Sequence, residues 1–113
     1  MWFHYRQYNS GGFFIFDEEK GITGHVLIEA ENADVANARA LSIGLYWDGV
    51  DEDLDCPCCG DRWCPTFDGT KEPLVYGKPA RNYNGYVWME DGREIVLHHS
   101  DGRIEWICVV ANK

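Results

Sequence analysis

"YVWMEDGREIVLHHSDGRIEWICVV", Tyr86 to Val110, carries two Asp-Gly pairs, Asp91-Gly92 and Asp101-Gly102, each between alternating apolar runs. Asp-Gly in that setting is a strong short hairpin signal, because tight β-turns need positive φ where glycine is tolerated. Read as two-residue turns, they pair Trp88 with Ile95, Tyr86 with Leu97, Leu97 with Trp106 and Ile95 with Cys108. Strand side chains alternate, so Tyr86, Trp88, Ile95, Leu97, His99, Ile104, Trp106, Cys108 and Val110 fall on one core face. The other face carries Glu94, His98, Arg103 and Glu105, with Val96, Ile107 and Val109 making it partly apolar. The reading places Cys108 in the core as a small hydrophobe.

Moving towards the N-terminus, "NADVANARALSIGLYW" is the one good helix. Asn32 or Asp34 can cap its start, Gly44 suits its end, and Ala33, Ala36, Ala40, Ile43 and Trp47 fall at helical spacing. "HVLIEA" (His25 to Ala30) reads as a strand with Val26, Ile28 and Ala30 on one face. "WFHYRQY" (Trp2 to Tyr8) reads as another, "NSGG" (Asn9 to Gly12) as a turn, and "FFIF" (Phe13 to Phe16) as the return strand. The expected fold is α+β: an antiparallel sheet of about five to six strands, one packed helix and a long cysteine-containing loop. At 113 residues, 45% of them hydrophobic, the chain is expected to be a single domain spanning 1–113.

The loop between helix and hairpins, 48–78, holds four of the five cysteines within "DLDCPCCGDRWC". "CPCCG" matches a zinc-knuckle pattern, in which a tight turn after the first thiolate frees backbone N–H groups for the sulfurs. Cys56 and Cys59 are the natural pair and Cys64 the obvious third ligand. Cys58, His98, His99 and His25 are candidates for the fourth place. One structural zinc ion is therefore a possible cofactor. A reduced loop without metal is the competing reading. A redox pair ranks third, because the acidic "DGVDEDLD" before Cys56 should raise thiol pKa values. That acidic run lacks the ligand spacing of a calcium loop. His98 and His99 point to opposite faces, His99 expected at the core edge and His98 at the surface. His4 and His25 show no partner.

The net charge of −9 disfavours direct nucleic-acid binding and anionic membranes, and favours partner proteins with a basic surface. No run spans a bilayer, and "MWFHYRQYNSGG" lacks the apolar segment of a signal peptide, so a cytoplasmic location is expected. There is no phosphate loop, no His-Glu-x-x-His and no Gly-x-Ser-x-Gly, so no enzymatic activity is expected. Aromatic residues exceed what one face of a small hairpin buries, which predicts an exposed protein-binding surface.

The stretch "IEAENADVANARALSIGLYWDGVDEDLDCPCCGDRW" resembles a family of small proteins of tailed bacteriophages, in which an Ala-rich helix precedes a C-x-C-C-G-D-R-W loop. The resembling pattern takes in Cys56, Cys58, Cys59, Gly60, Asp61, Arg62 and Trp63, and does not reach Cys64. It implies a phage product acting in the bacterial cytosol. The expected function is a non-enzymatic accessory protein that binds a bacterial host protein, as inhibitor of a defence or housekeeping system or as its trigger. The alternatives are a small-molecule binder, with Arg62 and Trp63 clamping a nucleotide signal, or a small metal-binding structural domain. Asp61, Arg62 and Trp63 are the expected binding residues.

Overall fold

The computed structural model describes residues 1–8, 10–85, 87–89 and 91–109. Its order is β1 (Trp2–Arg6), β2 (His25–Glu29), α1 (Ala33–Ile43), β3 (Leu74–Val75), β4 (Lys78–Pro79), β5 (Ile95–His98) and β6 (Ile104–Ile107). Four strands form one sheet in the order β1-β2-β5-β6, while β3 and β4 form a two-stranded ribbon. The class is α+β as expected, but the main sheet is mixed. β1–β2 and β5–β6 are antiparallel, and the central β2–β5 pair is parallel, Val26 opposite Val96 and Leu27 opposite Leu97. That parallel seam is reached through a long crossover containing α1 and the cysteine loop.

Three expectations are corrected. Phe13–Phe16 is not a strand, and β2 takes its place beside β1. Asp91-Gly92 turns the chain, but no strand precedes it among the described residues. β5 pairs with β2 on that side, and Trp88 is exposed. Tyr86 and Val110 lie outside the described residues. The second hairpin forms with a register one residue away from that expected. Leu97 faces Glu105, Val96 faces Trp106 and Ile95 faces Ile107. The cause is a three-residue loop, 100–102, closed by His99 N–H to Arg103 O (2.9 Å), with Gly102 N–H donating to His99 O and Gly102 at φ +91°. A type I turn followed by a left-handed glycine adds one residue to the loop. That single residue swaps the faces of β6, since strand side chains alternate. Ile107 joins Ile95 and Leu97, Trp106 goes to the opposite face, and Cys108 is exposed instead of buried.

Both sides of the sheet are covered, so β5 is buried along its whole length. On one side Phe3, Tyr5, Val26, Ile28 and Val96 meet Ala36 and Ala40 of α1, together with Leu45 and Trp63. The alanines let the helix lie close to the strands. Asn32 Oδ1 accepts from Val35 N–H at the helix start, and Gly44, at φ +116°, ends it by donating to Ala40 and Leu41 carbonyls. On the other side Trp2, Leu27, Ile95, Leu97 and Ile107 pack against Val75 and Ala80. The outer edge of β1 is capped where Trp2 and Thr70 exchange backbone hydrogen bonds of 2.7 and 2.9 Å. Among the described residues, no helix is long and apolar enough to cross a membrane.

Candidate functional site

The cysteine loop is held in place by the residues expected to bind a ligand. Arg62 is 3% exposed and Trp63 2%. Trp63 fills the core beside the helix. The Arg62 guanidinium donates to Gln7 Oε1 (2.9 Å), Phe13 O (2.8 Å) and Ser10 O (2.6 Å). Its Nε stands 3.7 Å from Asp55 Oδ1, and its backbone N–H donates to Asp55 Oδ2 (2.7 Å). Asp55 also accepts from the Tyr46 hydroxyl (2.8 Å). Gln7 completes the hub by exchanging hydrogen bonds with Ile15 and donating to Thr23 O. A buried charge persists only when paired and hydrogen-bonded. Here Nη1 and Nη2 close the Gln7, Ser10 and Phe13 segments onto the loop, while Nε, buried without a hydrogen-bond partner among the described residues, has only the nearby Asp55 charge. Arg62 and Trp63 thus present no surface to a ligand. Asp61 is half-buried, its Oδ1 accepting from Val50 N–H (2.9 Å).

This hub sets out the thiols. Cys56 N–H donates to Ser10 Oγ (3.0 Å), while Cys59 and Gly60 N–H both donate to Cys56 O (3.1 Å each). Gly60 takes φ +86°, the left-handed conformation that turns the chain after the cysteines. As a result the sulfurs of Cys56, Cys58 and Cys59 lie within 4.8 Å of one another, a geometry that can hold a metal ion. Cys56 and Cys58 sulfurs are 2.8 Å apart, Cys58 and Cys59 3.9 Å. Tetrahedral zinc with ligands at about 2.3 Å sets sulfurs roughly 3.8 Å apart, so the second spacing fits and the first would open by about an ångström.

Cys58, a candidate for the fourth place, is in this cluster, whereas the expected third ligand, Cys64, and the candidate histidines are not brought to it. Cys64 is exposed and belongs to a different hollow, beside His4, Arg6, Tyr8 and Tyr76. His98, expected at the surface, is buried with Nε2 2.7 Å from Gly21 O. His99 meets Glu105 (3.0 Å), and His25 meets His4. The expected rise of thiol pKa values holds at Cys64, raised by burial with Asp61 and Asp48, but not at Cys56. The hydrogen bond from the Cys58 thiol pulls Cys56 down to about 7, and the same contact pushes Cys58 up to about 11. A thiolate at Cys56 near neutral pH suits a soft metal ion.

The second feature is the pairing of His4 and His25, each of which showed no partner in the sequence. Antiparallel β1–β2 sets them diagonally across two strands, with His4 Nε2 2.8 Å from His25 Nδ1. Burial, reinforced by Arg6, lowers His4 to about 4. Burial, with His4 and Arg6, lowers His25 to about 3. Both rings are therefore neutral at pH 7. Tyr76 packs edge-on against both, and Tyr83 against His25.

The fold and site define a class: a small α+β domain with an exposed three-thiol loop pinned by a buried arginine. A family profile described as a domain of unknown function, DUF7296, matches residues 1–112. The chain belongs to this DUF7296 family. No curated protein and no solved structure matches it.

Proposed function

We propose that this chain is a non-enzymatic binding protein, a phage accessory product that engages a bacterial host protein through an aromatic surface. One observation carries this reading. Phe13 is 58% exposed and Phe16 36%, on a segment held rigid from beneath by the Arg62 hub. Phe14 packs on Trp88 and Phe16 on Trp106, so the rings continue onto the segment before Asp91-Gly92 and onto β6. Preordered aromatics are the usual anchors of protein interfaces. The chain's net charge of −9 favours a partner with a basic surface, and the reading sets the contact in the cytoplasm of an infected cell. Inhibition or triggering of a defence or housekeeping system would both use such a contact.

The test uses the purified chain immobilised against bacterial lysate, beside a Phe13→Ser/Phe16→Ser variant. Anchors of this kind contribute about 2 kcal/mol each, so the variant should lose a retained partner almost completely. A partner held equally by both proteins would place the interface elsewhere.

Within this reading Cys56, Cys58 and Cys59 hold one structural zinc, with the fourth place taken from outside the loop. Native mass spectrometry of protein made in zinc-replete medium should show one zinc, absent from Cys56→Ser/Cys59→Ser. That variant should stay folded, since the Arg62 hub does not depend on the thiols. Metal-free wild-type protein would remove zinc from the reading.

A further inference from the structure

A cleft of about 310 Å³ opens on the face of the sheet away from the helix, lined by Arg6, Phe14, His25, Tyr76, Tyr83 and Glu94, among others. Its size is at the lower end for small-molecule sites. Two polar features distinguish it. Glu94 is 1% exposed, and its Oε1 accepts from Trp88 and Met89 N–H, while Oε2 has no hydrogen-bond partner among the described residues. Gly24 lines the cleft close to that oxygen: a Cβ there would stand in van der Waals contact with it, 3.7 Å from Oε2. At the rim Arg6 is exposed and forms no salt bridge among the described residues. Its guanidinium lies over the rings of Tyr8 (4.7 Å) and Tyr76 (5.8 Å).

We propose that this cleft binds a guanine mononucleotide, its base against the aromatic walls with an N–H donated to Glu94 Oε2, and its phosphate on Arg6. The cleft shares Phe14 and Trp88 with the proposed aromatic surface, but the ligand argument rests on Glu94 and Arg6, which that surface does not use. The ligand class follows from three requirements. Several aromatic side chains favour a planar ring, since base–aromatic stacking is strong and needs no particular sequence. A buried carboxylate oxygen takes only donors, and leaving it without one is costly. Guanine offers a ring N–H and an exocyclic amino group side by side. In adenine and cytosine the amino group adjoins an acceptor nitrogen, and in uracil the N–H lies between two carbonyls. A simple cation would satisfy Glu94 but be repelled by Arg6. A nucleotide uses both poles. Burial raises the Glu94 pKa, consistent with a carboxyl group that gains from a donated N–H.

Calorimetric titration of the whole chain with GMP, guanosine, UMP and ribose 5-phosphate tests this. GMP should bind most tightly and ribose 5-phosphate not measurably. Glu94→Gln keeps the shape but can turn an N–H towards the base, and should weaken GMP by about tenfold or more. Arg6→Met, at an exposed position with no salt bridge among the described residues, should weaken GMP and leave guanosine unchanged. An RNA tetramer with one guanine should bind no tighter than GMP. The proposal is overturned if GMP fails to bind at millimolar concentration, or if UMP or ribose 5-phosphate matches it. Wild-type affinity in both variants, or far tighter binding of the tetramer, would equally overturn it.

Discussion

Arg62→Met is expected to cost about 3–5 kcal/mol of folding stability, the range for breaking a buried ion pair by removing one partner. The methionine would fit the aliphatic volume, but Asp55, whose side chain is fully buried, would lose its counter-charge. Gln7 Oε1 and the carbonyls of Phe13 and Ser10 would each lose a charged donor. Arg62→Lys should recover little, because an ammonium group cannot reproduce a planar fork reaching three acceptors. Urea denaturation followed by tryptophan fluorescence measures this directly. A domain of this size has roughly 5–15 kcal/mol in total, so the variant should sit near its unfolding limit at 37 °C. A loss below about 1 kcal/mol would show that the loop holds without the hub.

Acidification is expected to destabilise the protein from about pH 6.5 downwards, before Glu105 titrates. The sign follows from linkage. His4 and His25 have folded-state values near 4 and 3, below the unfolded value of 6.5, and burial also lowers His98. Below pH 6.5 the unfolded chain takes up protons that the folded chain refuses, so stability falls as pH falls. Each histidine contributes a slope of about 1.4 kcal/mol per pH unit, and two or three acting together should make the fall steep. Glu105 is lowered to about 2 by Arg81, so its loss belongs to a more acidic range, below about pH 4.5. Glu94, raised by burial, works in the opposite direction and softens the acid limb. Urea midpoints at pH 7.5, 6.5, 5.5 and 5.0 would trace the curve, and His4→Leu should make it shallower. Equal stability at pH 7.5 and 5.0 would mean that these rings are not held neutral by the fold.

How much of this was legible in the sequence depended on the range over which each decision was made. The helix was readable to its C-cap, Gly44, and to two N-cap candidates, Asn32 or Asp34, because caps act on neighbours within a turn. The Val26, Ile28 and Ala30 face of β2 was readable from alternation alone. The β5–β6 hairpin was readable as an element but not in register, since Asp101-Gly102 serves equally in a two- or three-residue loop. The parallel β2–β5 seam had no local sign, and neither did β2 taking the place beside β1 that "FFIF" was expected to fill. Arg62 was the furthest from legible. An arginine among acidic and polar loop residues reads as exposed, and its burial depends on acceptors at Gln7, Ser10 and Phe13, about fifty positions away. The three-thiol cluster was visible because its members are almost adjacent, whereas Cys64 is turned away by core residue Trp63 before it.

The parallel seam also bears on synthesis. β2 leaves the ribosome long before β5, and until β5 arrives one edge of Val26, Leu27 and Ile28 has no strand beside it. Such an edge invites pairing with another nascent chain. The helix made directly after β2 lays Ala36 and Ala40 over one face in the interval, and β1 already occupies the other edge. What stays uncovered is the Leu27 face, which must wait for Val75, Ala80 and then Ile95 and Leu97. Crowding of unfinished chains is therefore the stage at which this small domain is most exposed to misassembly.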